Sequence, residues 1–269
     1  MSVAIGIDIG GTKLAAALVE TDTGRVLAQG RRGTDPWRGA GDVLRDCVEL
    51  ADEVSGASQA RRLPVGMGVC ELVDPSGRIT SAATLDWSGV DIVGAFDGYG
   101  RVVVESDVRA AAIAEARFGA ARDLHSCVYL SVGTGIAFTL LIEGVPYRGS
   151  RGNALLLGAP MVEEVASGAA LARLASVATA QEAFASASGR AAVRHGAEQL
   201  GAAMAWLVNA LDPEAIVVGG GLGLRHDYRD AAVRTMRGLI EVRATADLEV
   251  RPAAFGGDAG AIGAALVAV

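Results

Sequence analysis

Cysteine is scarce in this chain of 269 residues: Cys47, Cys70 and Cys127 are the only three, odd in number and scattered. That excludes a disulfide framework and a thiolate metal cluster, and it favours the cytoplasm. Long apolar runs are missing as well. None approaches the ~20 residues of a membrane span, so no membrane partner is expected. The opening Met1-Ser2-Val3 has no basic n-region and no cleavage site, and a strand is expected to begin at once. Lysine is nearly absent: of 24 basic residues only Lys13 is lysine. The net charge of −7 disfavours a nucleic-acid partner. The three histidines, His125, His195 and His226, stand far apart and read as surface or satisfied residues.

What is present is apolar surface and glycine. Hydrophobic residues make up 51% of the chain and 36 residues are glycine, which places it among globular proteins long enough for two modest cores around a cleft. The most informative stretch is Val3-Ala4-Ile5-Gly6-Ile7-Asp8-Ile9-Gly10-Gly11-Thr12-Lys13. Its short β-branched run predicts a buried strand. The glycines then let backbone N–H groups approach a ligand without interference from a Cβ. Thr12 adds a hydroxyl and Lys13 a positive charge before the next apolar run, Leu14 to Val19. Strand, Gly-Gly turn and strand make a hairpin whose turn offers donors to an anion, with Asp8 placed to hold a metal or its water. An ordinary tight hairpin with a satisfied aspartate fits the same residues.

Downstream, strands are expected at Arg25–Gly30 and Val65–Cys70, with a helix at Asp42–Val54 between them and a short one at Val90–Phe96 beyond. Arg101–Val104 reads as a strand closed by Glu105-Ser106-Asp107, and Val108–Phe118 as an Ala-rich helix. Asp107 therefore stands at a strand-to-helix junction, either as a capping carboxylate or as a carboxylate at the ligand-binding edge of a sheet. Ser126–Val132, Gly133-Thr134-Gly135 and Ile136–Ile142 repeat the opening pattern and suggest two related halves around one polyphosphate. Met161–Ser188 reads as mostly helical, and Arg190–Leu211 as the clearest helix, ended by Asp212-Pro213. The strand Ala215–Val218 runs into Gly219-Gly220-Gly221, suited to a flat ligand or to a flexible turn. A helix at Asp227–Val242, a strand at Glu249–Ala253 and a final helix at Asp258–Ala268 complete the chain.

The order Asp-x-Gly-Gly-Thr-Lys, taken with Gly133-Thr134-Gly135, Gly219-Gly220-Gly221 and Asp258-Ala259-Gly260-Ala261-Ile262-Gly263-Ala264-Ala265, resembles the ROK family of sugar kinases from end to end. The resemblance implies an α/β, two-domain actin-like ATPase (ribonuclease H-like) fold with a nucleotide and acceptor cleft between the domains. Residues 1–118 would form the acceptor and phosphate domain and 119–269 the nucleotide-binding domain, with 258–269 packing back on the first. It further implies ATP with Mg²⁺, Asp107 as catalytic base, and Asp8 holding Mg²⁺ through water. Nucleotide contacts would come from Gly10, Gly11, Thr12, Lys13, Gly133, Thr134, Gly135, Gly219, Gly220 and Gly221. A homodimer is expected.

The acceptor side departs from the family pattern. Its Gly-x-Pro-Gly turn is Gly68-Val69-Cys70-Glu71 here, and its Asn ahead of Leu-x-Trp is Thr84. The Asn preceding the catalytic Asp is Ser106, and Glu-Ile-Gly-His becomes Leu156-Leu157-Gly158-Ala159. The cysteine-rich zinc loop is missing, so no zinc site is expected, and Glu163 aligns with the family's last sugar-contacting Glu. Acceptor contacts are thus expected from Glu71, Thr84, Ser106, Asp107, Leu156 and Glu163. The leading expectation is a small-molecule kinase acting on a non-standard acceptor such as a cyclitol or an unusual sugar. A catalytically weak ligand-binding or regulatory protein and a glucokinase-type hexose kinase are the alternatives. With no segment ahead of the phosphate motif, a helix-turn-helix repressor is not expected.

Overall fold

The computed structural model describes all residues except 1, 57, 59–61, 155–160, 243, 244 and 246. Leu156 and Ala159 thus lie outside the described residues. The chain divides into two compact units. The first comprises Met1–Arg122, Val145–Ala154 and Gly257–Val269, and the second Asp123–Gly144 and Leu155–Gly256. The boundary thus falls at 122/123 and not at the expected 118/119, and residues 145–154 return to the first unit.

In the first unit, β1 (Val3–Ile9), β2 (Lys13–Glu20), β3 (Arg25–Gly33), β4 (Val65–Val69) and β5 (Val102–Ser106) form one sheet in the order β3-β2-β1-β4-β5. The β1–β2–β3 meander is antiparallel, while β1, β4 and β5 are parallel. Side chains alternate between faces along a strand, and the sequence uses this twice. Ile5, Ile7 and Ile9, with Val65, Met67 and Val69, join the core beneath α1 (Ala40–Ser55), which contributes Val43, Leu44, Cys47, Leu50, Ala51 and Val54. The opposite face carries Gly6, Asp8, Gly66 and Gly68.

Those glycines set how closely helices approach. A Cβ on Gly6 would lie 1.8 Å from the carbonyl oxygen of Ala261, and one on Gly66 1.7 Å from that of Ala264. Both belong to α9 (Ala259–Val267), whose backbone rests directly on strands β1 and β4. The helix α3 (Asp107–Phe118) packs beside it, with a Cβ on Gly263 falling 1.6 Å from the carbonyl oxygen of Ala110. The helix expected at 90–96 is a single turn, α2 (Ile92–Ala95).

The second unit repeats the scheme of an antiparallel hairpin flanked by parallel strands. Here β6 (Ser126–Val132) pairs antiparallel with β7 (Ile136–Ile142). After a two-residue strand, β8 (Val145–Pro146), which lies in the first unit, the chain reaches β9 (Ala215–Gly219) and β10 (Glu249–Pro252), both parallel to β6. Met161–Ser188 is mostly helical, as expected, in three short helices, α4 (Glu163–Ala166), α5 (Gly168–Ala175) and α6 (Ala180–Ala185). Ser167 and Thr179 cap α5 and α6 by accepting from the N–H groups of Ala170 and Glu182, and Ser176 takes a left-handed φ of 55° that ends α5. Local capping overrides the helical propensity of the Ala-rich sequence. The helices α7 (Gly189–Leu211) and α8 (His226–Leu239) complete the unit. They cross at Gly201, where a Cβ would meet the carbonyl oxygen of Ala232 at 2.3 Å.

Candidate active site

Register brings three turns of the first unit to one sheet edge. Ile9 pairs with Val69, and Val69 with Ser106, so the chain leaves β1, β4 and β5 at the same level. Gly10–Lys13, Cys70–Glu71 and Asp107 therefore line the carboxyl edge of three parallel strands, where open α/β sheets place ligands. Asp8 pairs with Gly68, and a Cβ on Gly68 would lie only 3.4 Å from the Cα of Asp107. A glycine is thus the spacer between the two carboxylates.

The electrostatics of that pair are pronounced. Burial, then the negative charge of Asp107, push the Asp8 carboxyl up to about 7, with Lys13 opposing. Asp107 is pushed up to about 6, chiefly by burial. The N–H of Val108, which donates to Asp107 Oδ1 at 2.6 Å, opposes that rise, and the charge of Glu71 adds to it. Desolvation makes each carboxylate costly to ionise, and the charge of Asp107 makes Asp8 costlier still.

The first glycine turn is closed by the Gly10 N–H donating to the carbonyl of Lys13 at 2.9 Å, and Thr34 Oγ1 donates to the Gly10 carbonyl at 2.7 Å. Thr12 and Lys13 are exposed. Gly11 approaches Thr84, whose Cγ2 would lie 3.7 Å from a Cβ there. Thr84 also hydrogen-bonds the thiol of Cys70, which burial and the charge of Asp107 push up to about 12, so Cys70 is no nucleophile.

In the second unit the Gly133 N–H donates to the Gly135 carbonyl at 2.9 Å, leaving Thr134 and Gly135 exposed. The turn is anchored from behind. Its Gly133 and Thr134 carbonyls accept from Gly168 and Ala169 at 2.7 and 3.2 Å, and Glu163 Oε2 accepts from the Ile136 N–H at 2.8 Å. Of Gly219-Gly220-Gly221, two have packing reasons. A Cβ on Gly219 would strike the Tyr129 hydroxyl at 2.3 Å; Gly220 has φ of 77° and would meet the Val132 carbonyl oxygen at 2.4 Å. Gly221 alone faces open space, with nothing within 4 Å of a Cβ.

Two expected acceptor residues have other work. Glu71 is buried, and its oxygens are fully engaged. Oε2 accepts from Ser81 Oγ and from the Ala83 N–H at 2.8 Å, and Oε1 accepts from the N–H groups of Thr84 and Leu85 at 2.7 and 3.0 Å. Four donors fill a carboxylate's lone pairs, so Glu71 organises the 81–85 loop instead of facing a ligand. Ser106 is likewise buried and hydrogen-bonds Asp107. Thr84 stays half-buried beside the Gly10–Lys13 turn, and Glu163, half-buried, braces the Gly133–Gly135 turn.

Sequence reasoning missed the residues that hold Asp107 from below. Arg109 and Glu105 are both fully buried and paired, Arg109 Nε to Glu105 Oε1 at 2.7 Å. Their i, i+4 spacing, with Arg109 on the helix side that also carries Val108 and Ala112, was the available signal. Among the described residues, no group of three or more His, Cys, Asp or Glu is placed to hold a metal ion, and no helix is long and apolar enough to cross a membrane.

A profile of the ROK family matches residues 4–269. The chain is 33% identical over 285 residues to the bifunctional enzyme NanE/NanK of Brucella melitensis, a match covering 97% of this chain but 53% of that protein. It therefore spans about half the length of that relative. A glucokinase of Streptomyces coelicolor is 30% identical over 314 residues, covering 98% of this chain and 97% of its own. Among solved structures, a ROK family glucokinase from Streptomyces griseus in complex with glucose and AMPPNP matches with a TM-score of 0.86 at 27% identity, over 99% of both chains. The ROK hexokinase from Thermus thermophilus matches at 0.80 and 28%, over 99% of this chain and 97% of its own. The fold is that of these kinases, the actin-like ATPase fold.

Proposed function

The chain belongs to the ROK family, and from that premise we propose that it is an ATP-dependent kinase phosphorylating a hydroxyl of a sugar-like small molecule, with Asp107 as catalytic base. The observation that carries the reading is the pairing of Asp8 and Asp107 across Gly68 at the carboxyl edge of β1, β4 and β5. Phosphoryl transfer asks a protein for alignment and charge neutralisation more than for covalent chemistry. A base near neutrality is the other requirement, and Asp107, pushed up to about 6, is mostly ionised at pH 7 while remaining a competent proton acceptor.

A magnesium ion fits the donor set. Among the described residues no hydrogen-bond donor is committed to the Asp8 carboxylate, and its ionisation is opposed by burial and by Asp107. Asp8 would hold the ion through water, and when bound the ion would neutralise charge on the β- and γ-phosphates. The N–H groups and hydroxyls of Gly10–Lys13 and Gly133–Gly135 bind and orient the phosphates, and Gly221 leaves room for the nucleoside. Asp107 accepts a hydrogen bond from the attacking hydroxyl, then its proton. Ser106 and the Val108 N–H hold the carboxylate in place meanwhile.

For the acceptor, we propose a compound other than glucose, such as a cyclitol or an unusual sugar. The support is the sequence at Leu156 and Ala159, which cannot hydrogen-bond a hydroxyl, and a loop whose polar groups turn inward to Glu71. A glucokinase-type activity is the second reading, favoured by the glucokinases among the relatives. A nucleotide-consumption screen over hexoses, amino sugars and cyclitols tests both. Turnover of a cyclitol above glucose supports the first, glucose preference the second, and no turnover with any acceptor removes the kinase reading.

A further inference from the structure

Beneath Asp107 the guanidinium of Arg109, with no exposed surface, joins three backbone segments of the first unit. Its Nε donates to Glu105 Oε1 at 2.7 Å, its Nη2 to the carbonyl of Val73 at 2.6 Å, and its Nη1 to the carbonyl of Gly152 at 3.2 Å. Glu105 is closed off in turn. Oε1 also accepts the Ser106 N–H at 2.7 Å, and Oε2 pairs with Arg148 Nη2 at 2.5 Å. Val73 follows Glu71, which fixes the 81–85 loop; Gly152 and Arg148 belong to Val145–Ala154; Glu105 and Ser106 end the strand that presents Asp107. The two carbonyl-bearing segments touch, because a Cβ on Gly152, at φ of 80°, would lie 2.2 Å from the Val73 carbonyl oxygen.

Burying an arginine completely is costly unless its charge is paired and its donors are used. Here one face of the planar fork meets a carboxylate and the other spans two carbonyls, a geometry that an ammonium group cannot reproduce. A cation needed only to balance Glu105 would be supplied by Arg148 alone. The fork adds a fixed spacing between the 71–85 loop, the 145–154 segment and the base.

We propose that Arg109 is a positioning residue for acceptor binding, a clasp that holds the 71–85 loop and the 145–154 segment in register with Asp107. The inference rests on the kinase reading above and deepens it, naming a residue that touches neither substrate yet sets how tightly the acceptor is held. It acts through backbone carbonyls, so its loss alters acceptor binding more than nucleotide binding.

The test uses the full chain with its best acceptor from the screen. Arg109→Lys keeps a cation beside Glu105 and gives up the fork; Arg148→Met, at a side chain 39% exposed, removes the second partner where folding is least at risk. Expected for Arg109→Lys is an acceptor KM raised at least tenfold with the nucleotide KM within twofold. Amides of Asp74, Thr80 and Ala154, which close turns in the clasped segments, should exchange faster with deuterium. Arg148→Met should show the same split, several-fold in size, and Arg148→Lys should restore most of it. If Arg109→Lys does not fold, Arg148→Met and its rescue decide the matter. An unchanged acceptor KM in the folded variants, or acceptor and nucleotide KM rising together, overturns the clasp. A parent chain that turns over no acceptor overturns the kinase reading, and this inference with it.

Discussion

Gly260 lies flat against the carboxylate of Asp8: a Cβ placed on it would stand 2.5 Å from Cγ and 2.6 and 2.7 Å from the two oxygens. The first turn of the last helix is thus part of the wall around the proposed metal-holding carboxylate. Gly260→Ala should rotate Asp8 away while leaving the helix intact, since alanine favours helix. Expected is a several-fold rise in the magnesium concentration needed for half-maximal turnover, with the acceptor KM unchanged. A magnesium titration of the variant checks it.

Asp107→Asn should abolish most phosphoryl transfer, by ~10² or more, with nucleotide binding retained. It should also raise stability at neutral pH. The folded-state carboxyl stands at about 6 against an ordinary 3.8, so between those values the native state binds more protons than the unfolded one. Stability then falls as pH rises through that window. Removing the group, and its repulsion of Asp8, should recover on the order of 1–3 kcal/mol above pH 7. Denaturant unfolding at pH 4 and pH 8 measures it; equal stability of parent and variant at pH 8 would contradict the burial argument.

In the parent, kcat/KM for the acceptor should rise with pH through about 6 as Asp107 ionises. Glu71→Gln removes a charge that raises Asp107, so this acid limb should move to lower pH. The same change replaces acceptor lone pairs by an NH₂ facing backbone donors, at a cost of ~1–3 kcal/mol for each donor left unpaired, and so should lower stability. A pH–rate profile with a melting curve reads both. A limb that stays in place means Glu71 does not act on Asp107.

Gly66→Ala should be among the most damaging single substitutions, because its methyl would overlap the backbone of Ala264 at 1.7 Å. Backbone cannot swing aside as a side chain can, and overpacking costs ~1–3 kcal/mol or more. Gly221→Ala, with open space around its Cβ, should leave stability unchanged while raising the nucleotide KM. Thermal melts and nucleotide titrations of the two variants separate a packing glycine from a ligand-facing one.

The strands and long helices were legible because their signals are periodic: Ile5-Ile7-Ile9 alternates, and Leu200, Met204, Leu207 and Leu211 recur at helical spacing. Asp8 was singled out by the Gly-Gly turn directly after its apolar run, and Asp107 by its place at a strand-to-helix junction. The engagement of Glu71 was not legible because its partners, the Ser81 hydroxyl and the N–H groups of Ala83, Thr84 and Leu85, lie ten to fourteen positions away, and no sequence pattern encodes where a loop returns. Arg109 escaped for the same reason, two of its three partners being carbonyls of distant residues. Nothing near Gly6 or Gly66 in the sequence announces the α9 backbone that requires them, since it lies about two hundred positions or more away.

That helix also orders events in time. The sheet face bearing Gly6, Asp8 and Gly66 belongs to strands made early, yet its cover, Ala259–Val267, leaves the ribosome after every other element described here. The first unit cannot close until the second unit has been synthesised, so a nascent chain carries that sheet face without its α9 cover through most of its translation. Contacts so remote in sequence are slow to form and leave intermediates prone to self-association. Ribosome stalling short of residue 259 should yield a chaperone-bound species in which β1 and β4 remain protease-sensitive, and release of the last helix should protect them in a single step.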